Sequence, residues 1–205
     1  MKTAEDVLRF WFEEHGQPDW FGGKPEFDAE IVAQFSETHA AATRGELWHW
    51  RRMPEARLAE IIVLDQFSRQ IYRGRPEAFA WDREALLLAQ EMVNGGHHNF
   101  LPLPQRMFAL LPYQHAESPV VQAESIRLHT AIGVPEIMKF AEGHALCISR
   151  FGRFPKRNAV LGRVNTRRLK SNTSLRPQAC SSAEPRRLLP VRLRTRSCGW
   201  SCRTK

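Results

Sequence analysis

The sequence predicts an all-α protein made of antiparallel helix hairpins, and three observations carry that prediction. Apolar residues recur at helical spacing in one segment after another. The segments run about 10–18 residues and are bounded by Gly or Pro, and no stretch alternates apolar and polar residues over strand length. Links this short favour antiparallel neighbours, stacked as a bundle or an α-solenoid. No consensus returns at a fixed period, so the letters alone do not mark a regular repeat array.

Thr3 caps the first helix, with Glu5 and Asp6 in its first turn facing the positive end of the helix dipole. Val7, Leu8, Trp11 and Phe12 form its apolar stripe, and Gly16 stops it. Pro25 opens a second helix on which Phe27, Ile31 and Phe35 share a face, and Gly45 ends it. Trp48 and Trp50 lie in a connector closed by Pro54. A third helix is expected from Glu55 to Tyr72, with Leu58, Ile61, Ile62, Leu64 and Phe67 apolar and Gly74 as the stop. Pro76 begins the next helical region, re-capped at Asp82 and reaching Gly95-Gly96. A short helix over 105–111 is bracketed by Pro102, Pro104 and Pro112, and two more span 118–132 and 135–151.

The 205-residue chain carries 30 Lys/Arg and 22 Asp/Glu, a formal charge of +8 that on its face suggests a nucleic-acid or membrane-surface binder. The charge is not spread evenly. Residues 166–205 hold eleven bases and one acid, Glu184, for a net of +10; residues 1–165 hold nineteen bases and twenty-one acids, for a net of −2. The expected organisation is a nearly neutral helical domain, 1–165, followed by a basic, disordered tail, 166–205. Its abrupt Arg/Ser/Pro/Cys-rich composition reads either as a disordered segment or a product of translation in a shifted frame, the favoured reading, or as a basic arm for nucleic acid or anionic lipid. Nucleic-acid binding through the folded body is therefore not expected. Cys147, alone in the body, reads as a small buried hydrophobe. No run of about 18 apolar residues would span a membrane, and a cytoplasmic setting is expected.

Three groups of residues could carry chemistry. Asp65, Arg69 and Arg73 recur every four residues on one helix face, either gripping an anion or forming an ion-pair ladder between helices. His115 and Glu117 could be a general base and its orienting carboxylate, or capping and docking groups. His144, on the inward face of the last long helix, is either a satisfied core histidine or a group that points toward arginines across a cleft. Arg150, Arg153, Arg157 and Asn158 follow among Phe151, Gly152, Phe154 and Pro155, a bend studded with cations. No His-x-x-x-His pair, phosphate-binding Gly-Lys-Ser/Thr loop or Gly-x-Ser-x-Gly is present, and no metal or cofactor is expected.

Taken in order, several of these pieces resemble one family. They are Phe10-Trp11-Phe12, Trp20-Phe21, Phe27-Asp28, the run Leu64-Asp65-Gln66-Phe67-Ser68-Arg69-x-Ile71-Tyr72-Arg73-Gly74, and Pro112-x-x-His115-x-Glu117. Phe140-Ala141-x-x-His144 and Arg150-Phe151-Gly152-Arg153-Phe154-Pro155-x-Arg157-Asn158-x-x-Leu161-Gly162-Arg163 complete the set. Over about residues 4–165 the chain resembles the mainly bacterial domain-of-unknown-function 924 proteins. The resemblance implies a tetratricopeptide-like, right-handed helical array and brings no established activity. Lys156 stands where that family usually has histidine, and Ala116 where it usually has serine. The favoured reading is a binding module in which Asp65, Arg69, Arg73, Arg150, Arg153, Arg157 and Asn158 form a groove for an anionic small molecule or an acidic peptide. Two alternatives stay open: a hydrolase-like acid/base enzyme using His115 or His144, and a purely structural polar cluster.

Overall fold

The computed structural model describes residues 1–165, and every regular element among them is helical. The readings made for the tail, 166–205, lie outside the described residues. Thr3 closes a capping box at the first helix, α1 (Ala4–Arg9): its Oγ1 accepts from the Asp6 amide, and Asp6 accepts from the Thr3 amide. α1 then widens into a π turn, Phe10–Glu14. The extra residue in that turn shifts the helical phase, so Phe10 and Trp11 are both sealed in the core. After α2 (Gln17–Trp20), α3 (Pro25–Thr43) buries Phe27, Ile31 and Phe35 on one face as their spacing requires.

The element at the centre is a rod in three pieces: α4 (Pro54–Ile62), a π turn (Val63–Phe67) and α5 (Ser68–Ile71). Every residue from Leu58 to Ser68 is buried, which places the rod in the middle of the bundle with no solvent face along this stretch. α1 and α6 (Asp82–Asn94) pack on α4, and α3 packs on the π turn and α5. The chain then folds as successive neighbours: α6 with α7 (Leu103–His115), α7 with α8 (Pro119–Ile132), and α8 with α9 (Pro135–Phe151).

The structure departs from the sequence expectation at Pro112. The helix expected to end there runs on to His115, although Pro112 cannot donate to the Phe108 carbonyl. Burial of Phe108, Ala109, Leu110 and Tyr113 outweighs that loss. The Gln122 side-chain amide, donating to the carbonyls of Tyr113, Gln114 and Ala116 at 3.2, 2.9 and 2.8 Å, also ties off the open end of α7. Among the described residues no helix is long and apolar enough to cross a membrane.

Candidate functional site

The site starts from the π turn in the central rod. A π turn carries one more residue per turn than an α-helix, so it aims a side chain where regular spacing would not, and such turns recur at functional sites. Here it delivers Asp65, 1% exposed, to the end of α7, where Asp65 Oδ1 lies 2.8 Å from His115 Nδ1. Arg69, one turn on, approaches the same oxygen at 3.1 Å and also donates to the Asp65 carbonyl. The Gln66 amide donates to the second carboxylate oxygen. Burial alone would push the Asp65 carboxyl up. Arg69 and His115 outweigh it and hold the group well below the usual carboxylate range, so it stays ionised.

Arg69 continues the chain of contacts. Its Nη2 donates to Asp82 Oδ1 at 2.9 Å, at the first residue of α6, and Asp82 Oδ2 accepts from Arg157 Nη1 at 2.8 Å. Arg157 Nη2 returns to the His115 carbonyl at 3.1 Å, closing a ring of contacts that binds the rod, α6, α7 and the turn Pro155–Arg157. Burial lowers the Arg69 guanidinium, but Asp65 and Asp82 more than offset it and its pKa lies above the ordinary value. At Arg157 burial wins, with Asp82 opposing, and its pKa lies below the ordinary value. The Arg157 guanidinium sits over two rings, 4.5 Å from the centroid of Phe79 and 4.8 Å from that of Phe154.

Beside this ring lies a cleft of about 370 Å³ lined by Phe79, Asp82, Arg83, Glu117, Arg157 and Arg163, with apolar walls from α6 and α8. Glu117 is committed on both oxygens, accepting from the Phe154 amide at 2.8 Å and from Arg163 Nη1 at 2.6 Å. It therefore fastens the C-terminal turn to the body instead of orienting His115, and the carboxylate at the imidazole is Asp65. His144 donates through Nδ1 to the Phe140 carbonyl at 2.8 Å, and its ring lies 6.0 Å from His115 and 5.6 Å from Phe154. Burial first, and then the charges of His115 and Arg157, push its imidazole down to about 4.

The other residues singled out in the sequence sit elsewhere. Arg73 is half exposed and pairs with Asp28 of α3, with Nη2 2.7 Å from Oδ1. It lies past the end of α5, in the turn after Ile71, and its partner is on α3. Arg150 is exposed on the rim of a separate groove of about 730 Å³ between α8 and α9. Arg153 is half-buried with no ion pair among the described residues. Asn158 is buried and holds the C-terminal turn, donating to Asn165 Oδ1 at 2.9 Å and accepting from the Arg163 amide at 2.8 Å. Asp82, Arg83 and Arg163 enter the site without having been singled out for it. Asp82 was legible only as a helix-capping acid, because a residue 75 positions from its partner Arg157 leaves no local pattern.

The fold and the site together define an all-helical protein with a His–carboxylate–guanidinium seam beside an arginine-lined cleft. The chain belongs to the family described as bacterial protein of unknown function (DUF924), whose model matches residues 7–171. Among solved structures it is similar to the protein of unknown function ATU0120 from Agrobacterium tumefaciens. The two are 34% identical, with a TM-score of 0.78 over 82% of this chain and 94% of that one. No curated protein matches the chain.

Proposed function

We propose that the protein binds a small anionic molecule, a carboxylate or a phosphate, in the cleft between α6, the α7–α8 link and the C-terminal turn. The observation that carries this reading is the charge count of the cleft wall. Three guanidinium groups, Arg83, Arg157 and Arg163, face two carboxylates, Asp82 and Glu117. Both carboxylates are already bonded, and Arg83 makes no ion pair among the described residues. An anion entering the cleft finds one unmatched cation and the unused donors of two others, with Phe79 supplying an apolar wall. The volume suits a compact metabolite or the acidic end of a peptide. We infer further that the hairpins stack as a tetratricopeptide-like array, supported by the succession of neighbours from α6 to α9, and that the setting is cytoplasmic.

The test is a calorimetric and thermal-shift screen of the full chain against dicarboxylates, phosphorylated metabolites and acidic dipeptides. A bound anion stabilises the fold by mass action, about 2.7 kcal/mol at one hundred times its dissociation constant. Arg83→Ala, at an exposed position, weakens that binding by about tenfold, equivalent to about 1.4 kcal/mol. A flat screen, or binding untouched by both Arg83→Ala and Arg163→Ala, removes the cleft from consideration.

A further inference from the structure

Among the histidines packed between helices, His39, His115, His129 and His144 use their nitrogens differently. His129 is complete: Nδ1 donates to the Ser125 carbonyl at 2.7 Å and Nε2 accepts from the Gln114 amide at 2.7 Å. His39 is 1% exposed and spends Nε2 on Ser68 Oγ at 2.8 Å, its ring wedged against Tyr72 and Trp81. His115 and His144 differ, because each commits Nδ1 and, among the described residues, leaves Nε2 without a hydrogen bond. Neither Nε2 is among the buried atoms left without a partner, and 16% of the His115 side chain is exposed.

The partner on Nδ1 fixes the tautomer. An ionised carboxylate has no proton to give, so His115 Nδ1 carries the hydrogen and Nε2 the lone pair. The Phe140 carbonyl likewise can only accept, so His144 also presents a bare Nε2. The ring of His115 is clamped by Asp65, and its backbone is held by Arg157 and by the Gln122 amide on either side. Groups from each neighbouring element thus bear on it: Asp65, backed by Arg69, from the rod, His144 from α9, and Arg157 from the C-terminal turn.

From this geometry we propose a second activity, in the seam beside the cleft: His115 Nε2 is a general base that activates water for hydrolysis of an ester. In the step, Nε2 takes a proton from water as the water oxygen attacks the acyl carbon. The tetrahedral oxyanion collapses, the carbon–oxygen bond to the alcohol breaks, and the imidazolium returns its proton to the departing alkoxide. An acid and an alcohol leave, and no electrons change hands. His144 is the neutral acceptor that holds the water, and Arg157 is the nearby cation in whose field the oxyanion develops. Asp65 is a positioning residue that acts through His115.

The probe is p-nitrophenyl acetate, hydrolysed by the full chain. His115→Gln is expected to lower the rate at least 100-fold with the thermal transition retained. Asp65→Asn replaces the acceptor-only carboxylate with an amide that donates as well as accepts, so the Nδ1–H tautomer is no longer enforced and the rate is expected to fall. A His115→Gln protein that hydrolyses the ester at the unaltered rate overturns the proposal. If that variant does not fold, ring ¹⁵N chemical shifts of the unaltered protein decide. His115 with a protonated Nδ1 and a bare Nε2 supports it; the reverse tautomer overturns it.

Discussion

Trp11 and Asp65 are equally sealed from solvent, at 0% and 1% exposure, but they sit in regions built on different principles. Around Trp11 the body is held by rings: Phe10, Phe27, Phe35, Phe67 and Phe108 interlock with Trp11 and Trp20 at centroid separations between 4.8 and 6.1 Å. Around Asp65 the C-terminal turn is held to the body by directional contacts, Arg69–Asp82–Arg157 and Arg163–Glu117. The separate apolar cluster there is small: Cys147, Ile148 and Phe154, with Phe151 against it. Apolar packing tolerates many arrangements of similar volume, whereas a chain of charge-assisted hydrogen bonds permits one register only. The region that must place guanidiniums and an imidazole to within a fraction of an ångström is the one held by ion pairs.

Removing the centre of each region gives the largest effects and separates the two by their pH dependence. Trp11→Ala is expected to destabilise by about 3–5 kcal/mol through cavity formation, equally at pH 5 and pH 8. Asp65→Ala is expected to cost a similar amount, about 3–5 kcal/mol, because it leaves the Arg69 charge buried with one partner fewer and His115 Nδ1 unpaired. Its loss shrinks toward acid. The folded-state carboxyl lies below its unfolded value, so the stability it contributes is present above the unfolded pKa and fades as pH falls through the folded one. Urea unfolding of both variants across pH measures this, and a pH-independent loss in Asp65→Ala contradicts the ionised carboxylate.

Each region also holds one histidine whose imidazole is pushed down to about 4, His39 by burial and His144 by burial and then the charge of His115. Below pH ~6.5 the unfolded chain takes up a proton that these rings refuse in the folded state. Stability is therefore full above pH ~6.5 and falls as pH drops toward about 4, by up to about 3 kcal/mol for each ring. His39→Gln and His144→Gln should each flatten half of that decline.

Much of the scaffold could be read from the letters, and the reasons it could are local. Thr3, Pro25, Gly45, Pro54, Gly74 and Pro135 set helix ends by chemistry confined to a few residues, and Phe27, Ile31 and Phe35 show their shared face by spacing alone. The π turns could not be read, because they break the periodicity on which the reading depends. Phe10 escaped the predicted stripe for that reason, and the rod looked like an ordinary helix. Asp65, Arg69 and Arg73 would share a face on an unbroken helix, but α5 ends at Ile71 and the turn that follows carries Arg73 to Asp28 instead. Asp82 and Glu117 pair across 75 and 46 residues, distances at which a single sequence carries no signal.

A smaller effect tests how the His115 end of α7 is held. Gln122→Leu keeps the side-chain volume but removes the donor to three carbonyls at the α7 terminus. Buried acceptors left without donors cost about 1–3 kcal/mol. Amide exchange confined to the last turn of α7 and the α7–α8 link would place the loss at the seam, and the aromatic half should stay protected.

The smallest expected effect marks the boundary between the two regions. Arg73 lies four residues past Arg69, just beyond the end of α5; half its side chain is in solvent and its partner belongs to the aromatic half. An exposed pair is screened and contributes about 0–1 kcal/mol, so Arg73→Ala should shift stability by no more than that. It should also leave anion binding and ester hydrolysis where they were. Arg69→Ala, one turn earlier, removes a buried guanidinium between Asp65 and Asp82 and should cost several-fold more. If the two variants prove equal, one ion-pair ladder runs from Asp65 to Arg73, and the boundary between the ring-held scaffold and the charge-held seam lies one turn later.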